Sequence, residues 1–194
     1  MSKRLALLSV FNKDGMVDFA TALAELDFDL LASGGTAKCL LGAGLPVKDV
    51  AELVGGGPIF GHRVATLSRE IHASILARDC DLAELAAMNI PKISLVCVDL
   101  YPTHIAANAP DATWGSIIEM VDIGGPAMLN AAAKACENVI VLGDKADWQS
   151  TLDWLKAGEP HAVEYRQLLA VHALQMTGAY YTNGARYLEH HRQT

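Results

Sequence analysis

Apolar positions along the chain follow two rhythms. Leu5 to Val10 is a short run, apolar except for Ser9, and predicts a buried strand. After the polar turn Asn12 to Gly15, the residues Met16, Val17, Phe19, Ala20, Leu23 and Leu26 recur at helical spacing. Phe28 to Ala32 predicts a second strand, and the turn Ser33-Gly34-Gly35-Thr36 leads into a helix near Ala37 to Leu41. Val47 to Val50 is a candidate short strand, and Gly55-Gly56-Gly57-Pro58 is loop. Ile93 to Leu100 reads as the next strand, and Pro102, which has no N–H for a ladder, takes the chain out of the sheet. A helix follows from about Thr113 to Met120. Pro126, after Asp122-Ile123-Gly124-Gly125, suits the first turn of another helix running through Met128 to Ala135. Val139 to Leu142 predicts a strand and Trp148 to Leu155 a helix. Beyond the breaker Gly158-Glu159-Pro160, the spacing of Val163, Leu168, Leu169, Val171, Leu174 and Met176 predicts a long helix, interrupted near Gly178.

Strands that alternate with helices define an α/β protein. Right-handed crossovers then give a three-layer αβα arrangement, an open and mainly parallel sheet with helices on both faces. Two parts are expected: residues 1–158 as the α/β domain and residues 159–194 as a C-terminal helical extension packed on it. In such sheets ligands sit beyond the carboxyl ends of the strands, which directs attention to the turns there.

Composition narrows the function. The 194 residues are 52% hydrophobic and 19% charged, which suits a sheet buried on both faces and not a disordered chain. A formal net charge of -7 and a pI near 5.4 disfavour a general nucleic-acid or membrane-surface binder. One small phosphate remains compatible, because a site is locally cationic on an acidic chain. Cys39, Cys80, Cys97 and Cys136 form no C-x-x-C pair and read as buried thiols of a reducing compartment. The chain shows no signal-peptide pattern and no apolar run of membrane-spanning length, so a cytoplasmic protein is expected. The seven histidines have no zinc-enzyme spacing, and neither a metal nor an organic cofactor is expected.

Four turns carry groups fit for chemistry. The first holds Ser9, Asn12 and Lys13; the second is Ser33-Gly34-Gly35-Thr36; the third holds Asp99 and Tyr101; the fourth, Asp122-Ile123-Gly124-Gly125, opens the helix that carries Lys134. A Gly-Gly turn at a helix start lets unpaired N–H groups approach a phosphate. The same turn also serves as ordinary cap chemistry. Taken singly, Asp122 is more often a helix cap and Lys134 a solvated surface charge, and Lys13 reads equally as a solvated turn residue. The functional case depends on all of them meeting at one end of the sheet.

These residues resemble the IMP cyclohydrolase domain of the bifunctional purine-biosynthesis enzymes, whose other half is a formyltransferase. The shared stretches are Leu5 to Val10, Ala32-Ser33-Gly34-Gly35-Thr36-Ala37, Arg63-Val64 with Thr66-Leu67 and His72, Leu100-Tyr101-Pro102, Asp122-Ile123-Gly124-Gly125, and Ala131-Ala132-Ala133-Lys134. The resemblance implies a methylglyoxal synthase-like fold. It implies cyclodehydration of a formamidoimidazole carboxamide ribonucleotide (FAICAR) to IMP, with the formyl group supplied by a separate formyltransferase. It places nucleotide binding at Ser9, Lys13, Ser33, Gly34, Gly35, Thr36, Arg63 and Thr66, with backbone contacts at Gly124 and Gly125. Tyr101, Asp122 and Lys134 stand at its ring-closing positions.

The departures from the family pattern concern rate and substrate. A lysine implicated in catalysis is Ala65 here, the asparagine before the Leu-Tyr-Pro motif is Asp99, an arginine of the Gly-Gly helix is Asn130, and the asparagine after the family's lysine is Ala135. Arg69 is the nearest cation downstream of Ala65, and it reaches back only if the segment from Thr66 is helical. Two competing readings remain: a catalytically weakened nucleotide-binding or regulatory domain of the same fold, and a triose-phosphate lyase of the methylglyoxal synthase type. Against the lyase, the chain has no early His-Asp pair at the first strand to serve that chemistry. The apolar C-terminal segment has two candidate partners, its own sheet or a second copy in a homodimer.

Overall fold

A computed structural model describes residues 3–61 and 63–192; the outermost residues of both expected parts, 1–2 and 193–194, lie outside it. Five parallel strands, β1 (Arg4–Ser9), β2 (Phe28–Ala32), β3 (Val47–Asp49), β4 (Ile93–Val98) and β5 (Ile140–Leu142), form one sheet in the order β3-β2-β1-β4-β5. The central strand is the most apolar: Ala6, Leu7 and Leu8 are wholly buried, as a strand covered on both faces requires. Leu8 pairs with Ala32 on one side and Cys97 on the other, so the ends of three strands lie level at the carboxyl edge.

Helices α1 (Met16–Glu25) and α2 (Gly34–Gly42) carry the chain from β1 through β2 to β3. The return to β4 runs through α3 (Val50–Val54), α4 (Arg69–Leu76), a 3₁₀ turn (Asp79–Asp81) and α5 (Leu82–Ala87). From β4, the helices α6 (Thr103–Ala107), α7 (Trp114–Glu119) and α8 (Gly124–Lys134) lead to β5, followed by α9 (Ala146–Lys156). α9 packs on α1, with Phe19 stacked on Trp148 at 4.7 Å, whereas α4 packs on α8. The chain thus winds in two directions from the centre, and the strand order reverses between β1 and β4. That crevice is where a doubly wound sheet binds its ligand.

The last element, α10 (Ala162–His190), is 29 residues long and lies on α8, β5, α6 and α7. Its entry is anchored locally. Trp154 Nε1 donates to Pro160 O at 2.8 Å, Arg4 pairs with Glu159, and the Trp154 ring stacks on Tyr165. The helix continues unbroken through Gly178, contrary to the interruption expected there. A helical glycine costs about 1 kcal/mol, which burial of Leu169, Ala170, Ala173 and Thr177 on one face outweighs.

Two further expectations are corrected. Ser33-Gly34-Gly35-Thr36 is not a turn ahead of a helix: Ser33 is the N-cap, and Gly34 to Thr36 are the first residues of α2. The cysteines are not all buried. Cys97 is, and burial pushes its thiol well above the usual range, but Cys80 is exposed; all four are free thiols.

Candidate active site

The carboxyl ends of β1 and β4 are laced together. Asp99 N donates to Ser9 O at 3.1 Å and Phe11 N to Asp99 O at 3.3 Å. The Asp99 carboxylate accepts from Asn12 N at 2.7 Å. Here Asp99 splices two loops, a task the neutral oxygen of an asparagine would serve equally. Phe11 and Tyr101, both largely exposed, stand as a tilted ring pair 5.0 Å apart at the mouth of the crevice.

β2 brings the second group. Ser9 Oγ and Ser33 Oγ share a hydrogen bond of 2.7 Å, so the Ser33 hydroxyl does not cap its own helix. Thr36 N and Ala37 N donate to Ser33 O, and the N–H groups of Gly34 and Gly35 head α2 ahead of those bonds. Lys13 Nζ donates to Val10 O at 2.7 Å and to Phe11 O at 2.9 Å. It lies 3.6 Å from where a side chain on Gly35 would begin, so glycine gives the ammonium room at the helix head. An ammonium has three donors, and the third is available to an anion there. Thr36 has a different role from the expected one. It is buried, and its hydroxyl accepts from Val10 N at 3.1 Å and donates to Val10 O at 3.2 Å, bracing β1 against α2.

The third group is the head of α8. Asp122 Oδ1 accepts from Gly125 N at 2.9 Å. Burial pushes this carboxyl above its ordinary range, and the N–H groups of Gly125 and Gly124 pull it partly back. Neither glycine position accommodates a side chain. At Gly124 a Cβ would meet Thr66 Oγ1 at 2.6 Å; at Gly125 it would collide with the Asp122 carboxylate and with Leu100 Cδ2, the latter at 2.6 Å. Ser33, Ser9, Asp99, Leu100, Gly125 and Asp122 therefore form one continuous line of neighbours along the carboxyl edge.

Several expected residues lie elsewhere. Lys134 is exposed in the last turn of α8, which returns the chain to the start of the parallel strand β5. A helix rising 1.5 Å per residue puts it roughly 15 Å from the Gly124 end. Its place is the amino edge of the sheet, away from Asp122. Arg63 is exposed and paired with Glu119 of α7, its Nε donating at 3.1 Å. Arg69 opens α4 after the N-cap Ser68, with Ala65 outside that helix, so the two share no helical face. Its guanidinium meets Met88 and Glu70 instead of the crevice.

Three residues escaped the sequence reading. Phe11 is signalled only by an aromatic directly after the central strand. Lys145, beyond β5, places Nζ 3.5 Å from a side-chain position on Gly15. Tyr180 of α10 reaches across to the Asp122 turn and has no signal in the helical pattern around it. Among the described residues, no group of three or more His, Cys, Asp or Glu side chains is placed to hold a metal ion. No described helix is long and apolar enough to cross a membrane.

A doubly wound parallel sheet, with Lys13 at the head of α2 and a half-buried carboxyl on the same carboxyl edge, defines the class. The MGS-like domain family matches residues 15–127, and the chain belongs to that family. It is similar to the bifunctional purine biosynthesis protein PurH of Synechococcus elongatus, 45% identical over 190 residues, which cover 95% of this chain and 37% of that protein. PurH of Cereibacter sphaeroides is 46% identical over 179 residues, covering 90% of this chain and 34% of the relative. The chain thus spans little more than a third of the length of these curated relatives. The crystal structure of ForH superposes with a TM-score of 0.81 at 37% identity, covering 96% of this chain and 99% of that one.

Proposed function

We propose that the protein is an IMP cyclohydrolase, closing the pyrimidine ring of a formamidoimidazole carboxamide ribonucleotide. The observation that carries this reading is the crevice between β1 and β4. There Lys13 at the head of α2 lies on the same edge as Tyr101 and the half-buried Asp122, and its ammonium with the Gly34 and Gly35 N–H groups would form an anion site. Relatives named for purine biosynthesis, alignable over nine-tenths of the chain, support it.

The reaction joins the carboxamide nitrogen to the formyl carbon and expels the formyl oxygen as water. That water carries off one hydrogen from the carboxamide nitrogen and one from the formamido nitrogen. An amide nitrogen is a weak nucleophile, so the first requirement is a substrate held in its folded rotamer. The 5′-phosphate at the head of α2 and the base against the Phe11–Tyr101 pair would fix both ends. The second requirement is proton movement. A carboxyl whose burial raises its pKa is a better base than a solvated one, and Asp122 would accept the amide proton. The Tyr101 hydroxyl would donate to the oxygen that gathers charge. Lys134, at the far end of α8, has no part in this arrangement within one chain.

The weakened nucleotide-binding reading has its own support. Ala65, the outward Arg69 and the remote Lys134 leave the reacting end of the crevice short of cations. Incubation with the formylated ribonucleotide, followed by ultraviolet absorbance, separates the two. Appearance of IMP above the uncatalysed rate supports the enzyme, whereas saturable nucleotide binding with no turnover replaces it with the binding domain.

A further inference from the structure

We propose that Tyr180 of α10 is a positioning residue that holds Asp122 for proton transfer and couples it to the cleft beside Tyr101; this deepens the ring-closure reading and rests on it. Asp122 N donates to Tyr180 Oη at 2.8 Å, and the phenol hydroxyl donates in turn to Met120 O at 3.5 Å. The ring thereby clamps the turn that precedes the head of α8. Asp122 is held from both ends, its backbone by α10 and its carboxylate by Gly125 N. Burial pushes the Tyr180 phenol up to about 12. It therefore stays neutral through the working range and keeps its proton as the donor to Met120.

The same ring faces a second neighbour. Tyr180, Asn183 and Tyr187 form one wall of a cleft of about 250 Å³, and Asp99, Tyr101 and His104 belong to the opposite wall. One side chain thus borders the cleft that holds Tyr101 and bonds the residue that would move the proton. Groups that do not react themselves set the geometry of those that do when they lock a backbone or a rotamer. The long C-terminal helix gains a purpose beyond covering α8: it carries the clamp.

Tyr180→Phe keeps the ring and removes both hydrogen bonds. Amide hydrogen exchange, followed by NMR, reads the clamp without any assumption about activity. The expected result is exchange at Asp122 and Gly125 faster by about tenfold or more, with the amides of β1 and β4 unchanged. Tyr165→Phe, on the same helix but hydrogen-bonded to Thr151 and Ser150 of α9, leaves all of these amides as they were. In the ring-closure assay, Tyr180→Phe lowers kcat by about tenfold or more with KM within about twofold, and moves the acid limb of the kcat–pH profile that reports Asp122. Parental exchange at Asp122 and Gly125 overturns the proposal. So does a parental kcat and pH profile, or a kcat loss accompanied by faster exchange throughout β1 and β4, which marks a packing role. Should the unaltered protein show no turnover, the ring-closure reading fails by itself. The exchange measurement then still decides whether Tyr180 holds Asp122.

Discussion

Asp122 illustrates at the residue scale how a site can oppose the stability of its own fold. Its folded pKa is raised above the ordinary value near 3.8 by burial, so the native state binds this proton more tightly than the unfolded chain does. Stability contributed by the protonated form is complete below the unfolded pKa and is lost as pH rises through the folded one. Asp122→Asn keeps an oxygen to accept from Gly125 N and never ionises. It is expected to melt a few degrees above the parent at pH 7 and level with it near pH 3, as thermal melts across that range would read. At a site where about 1 kcal/mol moves Tm by 2–4 °C, such a shift is measurable. The same change should reduce ring closure by on the order of a hundredfold. A variant neither more stable at neutral pH nor slower would remove Asp122 from the proton-transfer role.

At the scale of elements, α10 has two faces of similar hydrophobicity and opposite fate. Leu169, Ala170 and Ala173 are buried against the body of the protein, while Leu168, Val171 and Leu174 are about half exposed. Leu169→Ala leaves a cavity and is expected to cost about 2–5 kcal/mol, a fall in Tm of roughly 5–15 °C. Val171→Ala, two residues on and 50% exposed, should stay within about 0.5 kcal/mol. Equal losses for the two would mean that the packed face of α10 is misassigned. The sequence pattern shows that the helix exists, because apolar residues recur along it. It does not show which residues face inward, since apolar side chains surround much of the circumference.

The whole molecule decides the supply of positive charge at the crevice. Lys13 is held by two carbonyls at the head of α2, Arg63 is paired with Glu119, Lys145 lies beside Gly15 over the Trp148 ring, and Lys134 is at the opposite edge. Arg69, the one Lys or Arg in segment 66–76, faces Met88 and not Asp122. Ala65, next to the Thr66 that abuts Gly124, is therefore the position where a lysine would matter most. Ala65→Lys is expected to raise the cyclisation rate by about tenfold, the equivalent of 1.4 kcal/mol of transition-state stabilisation, while Arg69→Ala leaves it unchanged. A tenfold loss in Arg69→Ala would show instead that the guanidinium swings into the crevice when substrate binds.

The strands, the helices and the glycines of segments 33–36 and 122–125 were legible in the sequence because each is local, whereas the strand order was not. A buried strand needs a short apolar run, a helix needs a 3.6-residue repeat, and a tight backbone approach needs glycine. Ser9, Ser33 and Tyr101 could be placed at one edge from that alone, since the turns after parallel strands share an end of the sheet; Asp122, on a turn between two helices, was brought to that edge only by the tertiary structure. Only the tertiary structure decided which of the named groups meet. Thr36 turned inward to brace Val10, Arg63 found Glu119, and eleven helical residues carried Lys134 to the other end. Tyr180 came to Asp122 from 58 positions away. Such pairings depend on where one helix lies across another, and no repeat along the chain encodes that.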